Sequence, residues 1–182
     1  MSSNFWNLQR PSSAPADINV PKTIAESETV TSRLMEVLDS NAHGNVHGGV
    51  IMRMIDESAA IVAIKHSRRP VVTARVDQLN FLEPAYIGEV VTLHCALTFV
   101  GRTSMEVAVE VTAESLRTAE TRRVCSCNII YVALDENRKP VQVPPLKATN
   151  EEERQRIERA KARRERMRQM DEELKNTGLS NL

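Results

Sequence analysis

The sequence predicts an α+β domain in which a long buried helix is wrapped by a curled antiparallel β-sheet, with a charged C-terminal helix after it. Several segments alternate apolar and polar residues with a period of two, which is typical of strands that bury one face. Another segment is apolar on almost every side, and a late segment mixes Arg with Glu. A chain of 182 residues, 41% of them hydrophobic and 26% charged, suits one such domain with appendages.

The predicted strands form one block, which the helix interrupts after the first strand. Before this block, residues 1–27 are rich in Ser, Pro, Ala and Asn without any period, which predicts a flexible arm. In one strand, every second residue from Val91 to Phe99 shares an apolar face. Short links between the last three strands favour antiparallel pairing. Strands are predicted over 28–38, 71–82, 90–99, 104–112 and 121–133.

The predicted helix begins at Gly48 and continues to about Lys65, and it has no continuous polar face. A helix on the surface of a protein keeps such a face, so this one is expected to be buried in the sheet. His66 follows, where an imidazolium would meet the negative end of the helix dipole.

A proline-rich connector at 140–145 leads to the charged segment. Asn150 is suited to an N-cap position, and the three glutamates after it suit the positive end of a helix. Interleaved Arg and Glu then continue to about Lys175, which indicates a solvated helix lying across an oligomer surface. The predicted division is an arm at 1–27, a domain at 28–146, and a linker with the charged helix at 147–182.

The composition excludes several classes of protein. Lys and Arg together number 24, as do Asp and Glu, so no net field attracts nucleic acid to the whole surface. No apolar run reaches the roughly 18–20 residues that span a bilayer. The three cysteines lack the C-x-x-C spacing of a zinc site, and their odd number does not suit a disulfide scaffold. We therefore expect a cytoplasmic protein, with the mitochondrial matrix as the alternative, that binds no metal and no nucleic acid and does not span a membrane.

A glycine loop at residues 43–49 lies directly before the helix and reads His-Gly-Asn-Val-His-Gly-Gly. Free backbone N–H groups and the positive dipole end meet at such a helix start, and glycines let a ligand approach the backbone. The loop is therefore a candidate to hold a phosphate or to polarise a carbonyl oxygen as an oxyanion hole.

Asp56 is the second chemical feature, because a carboxylate in an apolar helix must be paired or must face a cleft. Such a carboxylate is a candidate general base that activates water. It stands seven residues after Gly49, roughly 10 Å along a helix at about 1.5 Å per residue. One carbonyl group cannot easily contact both within one protomer. If two helices run antiparallel across a two-fold axis, each Asp56 approaches the partner's loop, and the site requires a dimer.

These residues resemble a known family. The run from Gly44 to Gly49, followed by Met-Ile-Asp-Glu ending at Glu57, is similar to the acyl-CoA thioesterases of the hotdog superfamily, including the cytosolic acyl-CoA hydrolases and their short bacterial relatives. The similarity extends through 77–81, 101–107 and the proline-rich connector, and covers roughly 28–170. It implies a hotdog fold and hydrolysis of acyl-CoA to a fatty acid and CoA, without any cofactor besides the CoA of the substrate.

The resemblance also implies the catalytic roles. The Gly49 amide would hold the thioester carbonyl, Asp56 would act as base or nucleophile, and Asn45 would position water or substrate. Because one domain carries all three, a homodimer would form two equivalent composite sites, and the family commonly assembles three such dimers into a homohexamer.

Substrate-binding residues are expected at three places. Arg102, Thr103 and Ser104 form a turn whose guanidinium and hydroxyl donors suit the phosphates of CoA. His47 and Gly48 belong to the glycine loop, where they would contact the substrate. An apolar acyl channel would be lined by Met54, Ile55 and Phe81.

Two alternatives remain open from the sequence. A hotdog hydratase or dehydratase also places a histidine before the helix and an acid on it, although His47 and Asn45 suit a thioesterase better. A non-catalytic acyl-CoA sensor would keep the fold and the ligand without turnover, but retention of both Asn45 and Asp56 argues against it.

Overall fold

A computed structural model describes residues 17–176 of the chain. Short strands lie at both ends of the domain and five long strands form its sheet. The elements in chain order are β1 (Lys22–Thr23), β2 (Thr29–Leu34), a 3-10 turn (Val37–Asp39), α1 (Gly48–Ser67), β3 (Val71–Phe81), β4 (Glu89–Val100), β5 (Ser104–Ser115), β6 (Thr121–Ala133), β7 (Leu146–Lys147) and α2 (Glu151–Asn176).

The five long strands form one antiparallel sheet in the order β2-β4-β5-β6-β3. Alternate side chains of its central strands, such as Leu93, Val107 and Ile129, are fully buried in the core that α1 closes. The predicted α+β class, with a long helix against a curled antiparallel sheet and a charged C-terminal helix, is confirmed. The sheet does not close on itself, so β2 and β3 are left as its two edges.

Helix α1 is not buried on every side within the single chain. Its sheet-facing residues are enclosed, yet Met52, Ile61 and Ile64 are 46%, 42% and 45% exposed. The expectation of complete burial is therefore wrong for one protomer, because an open five-stranded sheet covers only one side of a helix. The outer side of α1 keeps an apolar surface.

A β-bulge in β4 changes which face Phe99 occupies. Leu97 pairs with Val107 and Phe99 with Glu106, so Thr98 is an extra residue between the two pairs. An extra residue reverses the alternation beyond it. Phe99 therefore lies on the sheet face away from α1, contrary to the prediction that it shares a face with Val91.

Helix α2 packs on this outer face of its own sheet. Arg163 forms an ion pair with Glu106 of β5, whose side chain is 1% exposed. Thr98 donates a hydrogen bond of 2.7 Å to the same carboxylate oxygen. The Arg164 guanidinium lies 4.8 Å from the centroid of the Phe99 ring. The charged helix is thus only partly solvated, because its arginines reach polar groups that the alternation in β5 places outward.

The predicted flexible arm at 1–27 is too long at its C-terminal end, while residues 1–16 lie outside the described part. The Lys22 amide donates to the Pro145 carbonyl (2.9 Å), which joins β1 to β7 in a parallel pair. Ile24 and Ser27 are buried. Residues 22–27 therefore pack against the domain through this strand pair and do not form a free arm.

His66 is buried between α1 and the connector, where its Nε2 lies 2.8 Å from the Pro144 carbonyl oxygen. Burial lowers the pKa of this imidazole, so the ring is neutral near pH 7. A neutral ring does not supply the positive charge that an imidazolium would place at the helix end. The Lys22 ammonium takes that place instead, with a 2.6 Å hydrogen bond to the His66 carbonyl.

Candidate active site

The glycine loop is held by Asn41, which stands just before it. The Asn41 side-chain oxygen accepts hydrogen bonds from the amides of His43 (2.8 Å) and Asn45 (3.2 Å). The backbone N–H of Asn41 donates to the Asn45 carbonyl (2.7 Å). Gly44 has a φ of +82°, which glycine adopts without strain. Asn41 was not among the predicted site residues, although asparagine before a glycine-containing turn is a known signal for such a loop.

At the start of α1, the imidazole of His47 serves as the N-cap. Its Nδ1 accepts a 2.9 Å hydrogen bond from the Gly49 amide. The Gly49 N–H is therefore occupied, whereas the Gly48 N–H has no acceptor among residues 17–176. No acidic residue lies in the first turn, so the positive end of the helix dipole is not neutralised there. A carbonyl oxygen can reach the Gly48 amide directly, and the Gly49 amide once the imidazole rotates away.

Phe81, at the end of β3, covers this helix start. A Cβ atom on Gly48 would lie 3.3 Å from the tip of the Phe81 ring, so glycine permits their close approach. Beside them is a cavity of about 360 Å³, here called the loop cavity. Its lining includes Asn41, Asn45, Gly48, Ile51, Phe81 and Cys125.

The carboxylate of Asp56 is fixed by two hydroxyl groups from neighbouring strands. Thr73 of β3 donates to Oδ1 at 2.7 Å, and the Tyr131 hydroxyl of β6 lies 3.1 Å from Oδ1 and 2.8 Å from the Asp56 carbonyl oxygen. Burial and the nearby Asp56 charge raise the pKa of Tyr131, so its hydroxyl remains a proton-bearing donor. Oδ2 has no hydrogen-bond partner in the described structure and is open to a ligand.

Asp56 and the glycine loop line separate cavities. Asp56, Thr73 and Val76 border a space of about 330 Å³, here called the aspartate cavity, which shares no lining residue with the loop cavity. It lies against the edge strand β3, where Val72 and Val76 are exposed. One protomer therefore does not bring Asn45 and Asp56 to the same cavity, and Gly49 lines neither of the two.

The turn at Arg102, Thr103 and Ser104 lies away from both cavities. Its backbone carbonyls accept hydrogen bonds from the amides of Val143 and Ala133, each at 3.0 Å. The Ser104 hydroxyl accepts from Arg164 of α2 (3.2 Å) and lines a cleft on the outer face of the sheet. The Arg102 side chain is exposed.

The cysteines offer no thiolate nucleophile. All three are buried and reduced, and burial raises the pKa of Cys125, which lines the loop cavity, to about 11. Within residues 17–176, no three His, Cys, Asp or Glu side chains are grouped as metal ligands. In the same range, no helix is long and apolar enough to cross a membrane.

Comparisons with known proteins give consistent matches. The profile of the thioesterase superfamily matches residues 43–120. A Bacillus subtilis protein named as an acyl-CoA thioester hydrolase is 41% identical over 128 residues, which are 70% of this chain and 74% of that protein. The cytosolic acyl coenzyme A thioester hydrolase of Rattus norvegicus is 37% identical over 79% of this chain, but the match spans only 38% of that protein's length.

Solved structures agree. An apo-hexameric acyl-CoA thioesterase superposes with a TM-score of 0.79 at 37% identity, over 82% of this chain and 96% of the other. An acyl-CoA hydrolase from Staphylococcus aureus, solved with butyryl coenzyme A, coenzyme A and coenzyme A disulfide, gives a TM-score of 0.70 at 33% identity, over 85% and 99%.

The long helix, the open antiparallel sheet and the loop before the helix define a hotdog domain of the thioesterase superfamily. Within that class, the chain belongs to the acyl-CoA thioester hydrolase family, as the sequence motifs predicted.

Proposed function

We propose that the chain hydrolyses acyl-CoA thioesters to a carboxylic acid and CoA. The observation that carries this proposal is the Asp56 carboxylate, which Thr73 and Tyr131 hold by Oδ1 while Oδ2 stays open. A carboxylate held in this way is suited to take a proton from water. The names of the relatives, acyl-CoA thioester hydrolases, supply the substrate class.

In the proposed step, the thioester carbonyl oxygen accepts hydrogen bonds from the amides at the start of α1, at Gly49 and Gly48. Asp56 takes a proton from a water molecule, and the oxygen of that water bonds to the carbonyl carbon. The carbon–sulfur bond then breaks, the CoA sulfur recovers the proton, and the acid leaves. The helix dipole and the amides stabilise the negative charge that develops on the oxygen.

Structures of three variants of the Staphylococcus aureus acyl-CoA hydrolase draw attention to two further residues of this chain. In each variant, alanine replaces one residue. The first is an aspartate, the second a threonine 17 positions after it, and the third an asparagine 15 positions before it. Thr73 and Asn41 stand at these two spacings from Asp56. We therefore assign Thr73 to the orientation of Asp56, and treat Asn41 beside Asn45 as the amide that positions water or substrate.

The complete site would form between two subunits. Separate cavities for the loop and for Asp56 favour a second protomer that brings both to one substrate. The exposed edge of β3 and the apolar outer side of α1 adjoin Asp56 and offer the surface for that contact. The hexameric relative supports three such dimers in one assembly, and the cytosolic relative supports a cytoplasmic location.

Thiol release is the direct test of the reaction. The purified protein is expected to release CoA from a panel of acyl-CoAs, from acetyl to palmitoyl, as measured with a thiol-reactive chromophore. Saturable CoA binding without release from any ester would contradict hydrolysis and favour a sensor. Loss of the double-bond absorbance of an enoyl-CoA without thiol release would indicate a hydratase.

Arg102 is proposed to contact the CoA phosphates, with Thr103 and Ser104 as neighbouring donors. Arg102→Ala is expected to raise KM about 10-fold for an acyl-CoA but not for the acyl-pantetheine thioester, because one charge-assisted hydrogen bond contributes about 1.5–3 kcal/mol. Arg138→Ala, in another exposed turn, is the control. Equal KM changes for both substrates would remove Arg102 from the phosphate contact.

A further inference from the structure

A row of arginines on α2 faces a groove that the proposed reaction does not use. Arg156, Arg159, Arg163 and Arg166 follow one another at helical spacing and line two adjoining cavities of about 640 and 510 Å³. The two cavities share Arg159, Arg163 and Gln78, so they form one channel, here called the arginine groove.

The arginine groove carries an excess of positive charge. Five guanidiniums line it, the fifth being Arg123 of β6, against the two carboxylates of Glu28 and Glu110. Three of the five are paired with a carboxylate, Arg123 with Glu110, Arg156 with Glu152 and Arg163 with Glu106. Arg159 and Arg166 have no carboxylate within 4.0 Å in the described structure. Two guanidiniums therefore face the groove with their charge uncompensated.

Uncharged hydrogen-bonding groups complete the opposite wall. Gln78, Asn80, Ser126 and Asn128 lie there on β3 and β6. Gln78 has a φ of +50° at an irregularity where the pairing of β3 with β6 shifts. This interruption of the strand places side-chain amides opposite the arginines, so that one ligand can meet donors from both walls.

We propose that the arginine groove binds the diphosphate group of a small molecule. Guanidinium forks match phosphate oxygens in pairs, and cavities of this size take small ligands rather than a duplex or a protein. Arg159 and Arg166 lie roughly 10 Å apart along the helix, which suits two linked phosphates bridging their side chains. The groove lies on the sheet face opposite α1, so this proposal does not rest on the proposed hydrolysis.

Calorimetric titration with inorganic pyrophosphate tests the groove directly. The wild-type chain is expected to bind it saturably, and the pair Arg159→Gln and Arg166→Gln to bind at least 10-fold more weakly. The control pair Arg154→Gln and Arg138→Gln removes the same charge outside the groove and is expected to stay within twofold of wild type. Absence of saturable binding, or an equal loss in the control pair, would overturn the proposal.

Competition identifies the source of the diphosphate. Displacement of pyrophosphate by ADP but not by CoA would assign the groove to a free nucleoside diphosphate, and displacement by CoA would assign it to the diphosphate of CoA. Failure of both to displace pyrophosphate would contradict a site for a diphosphate-bearing small molecule. All of these measurements report binding alone, so they remain decisive even if the chain proves not to hydrolyse thioesters.

Discussion

Asp56→Asn is expected to lower kcat for acyl-CoA hydrolysis by about 10²–10⁴-fold, the usual contribution of a positioned general base. Asparagine keeps the size of the side chain and an oxygen that accepts from Thr73 and Tyr131. It has no basic oxygen to take the proton of water. The fold and the hydrogen bonds are therefore retained while the chemical step is lost, and KM is expected to change little.

The neighbouring residue provides a matched control. Glu57 is also a carboxylate on α1, but it is exposed and forms an ion pair with Arg53 (2.8 Å). Glu57→Gln is expected to leave kcat within about twofold of wild type, because an exposed pair contributes little. Steady-state thiol release measures kcat for both variants. Full activity of Asp56→Asn would remove Asp56 from the mechanism.

Mixing of inactive variants tests whether the site is shared between subunits. Asp56→Asn subunits exchanged with Asn45→Ala subunits are expected to regain activity, because each mixed dimer then has one complete site. With random exchange, about a quarter of the wild-type activity is expected. Repeating the mixture with Asn41→Ala shows which asparagine belongs to the site. No recovery in either mixture, with exchange verified by native mass spectrometry, would contradict the composite site.

Much of the fold was predictable because alternation is a local signal. The predicted strand 121–133 matches β6, and α1 begins at Gly48, as the glycine loop indicated. The orientation of Phe99 was not predictable, since the bulge at Thr98 depends on pairing with β5. The outer side of α1 was expected to be buried because its residues are apolar. An apolar pattern does not indicate whether the same chain or a second one covers that side.

The candidate site also contains some residues that the sequence predicts and others that it does not. Asp56 and the glycine loop stand out locally, as a charge in an apolar helix and as glycines at a helix start. Thr73 and Tyr131 carried no such signal, because only the register of β3 and β6 on α1 brings their hydroxyls to the carboxylate. Groups that orient a catalytic residue are often set by distant pairing, so a motif alone does not find them.

Glu106→Ala is expected to lower the free energy of unfolding by about 3–4 kcal/mol, because it leaves Arg163 facing a buried site without a counter-charge. Thr98 also loses the acceptor of its 2.7 Å hydrogen bond. Urea unfolding measures the change. Glu110→Ala is the matched control, since Glu110 lies on the same face of β5 but is 53% exposed beside Arg123. Its effect is expected to stay below about 1 kcal/mol.

Removing both charges separates the ion pair from simple packing. Glu106→Leu combined with Arg163→Met replaces the pair by apolar side chains of similar size, which often restores stability because neither charge is then desolvated. The double variant is expected to recover most of the loss caused by Glu106→Ala. If Glu106→Ala is no more destabilising than Glu110→Ala, the pair does not fix α2 to the sheet. Hydrogen exchange in α2 gives an independent reading, because undocking raises exchange there while leaving the β4–β6 amides protected.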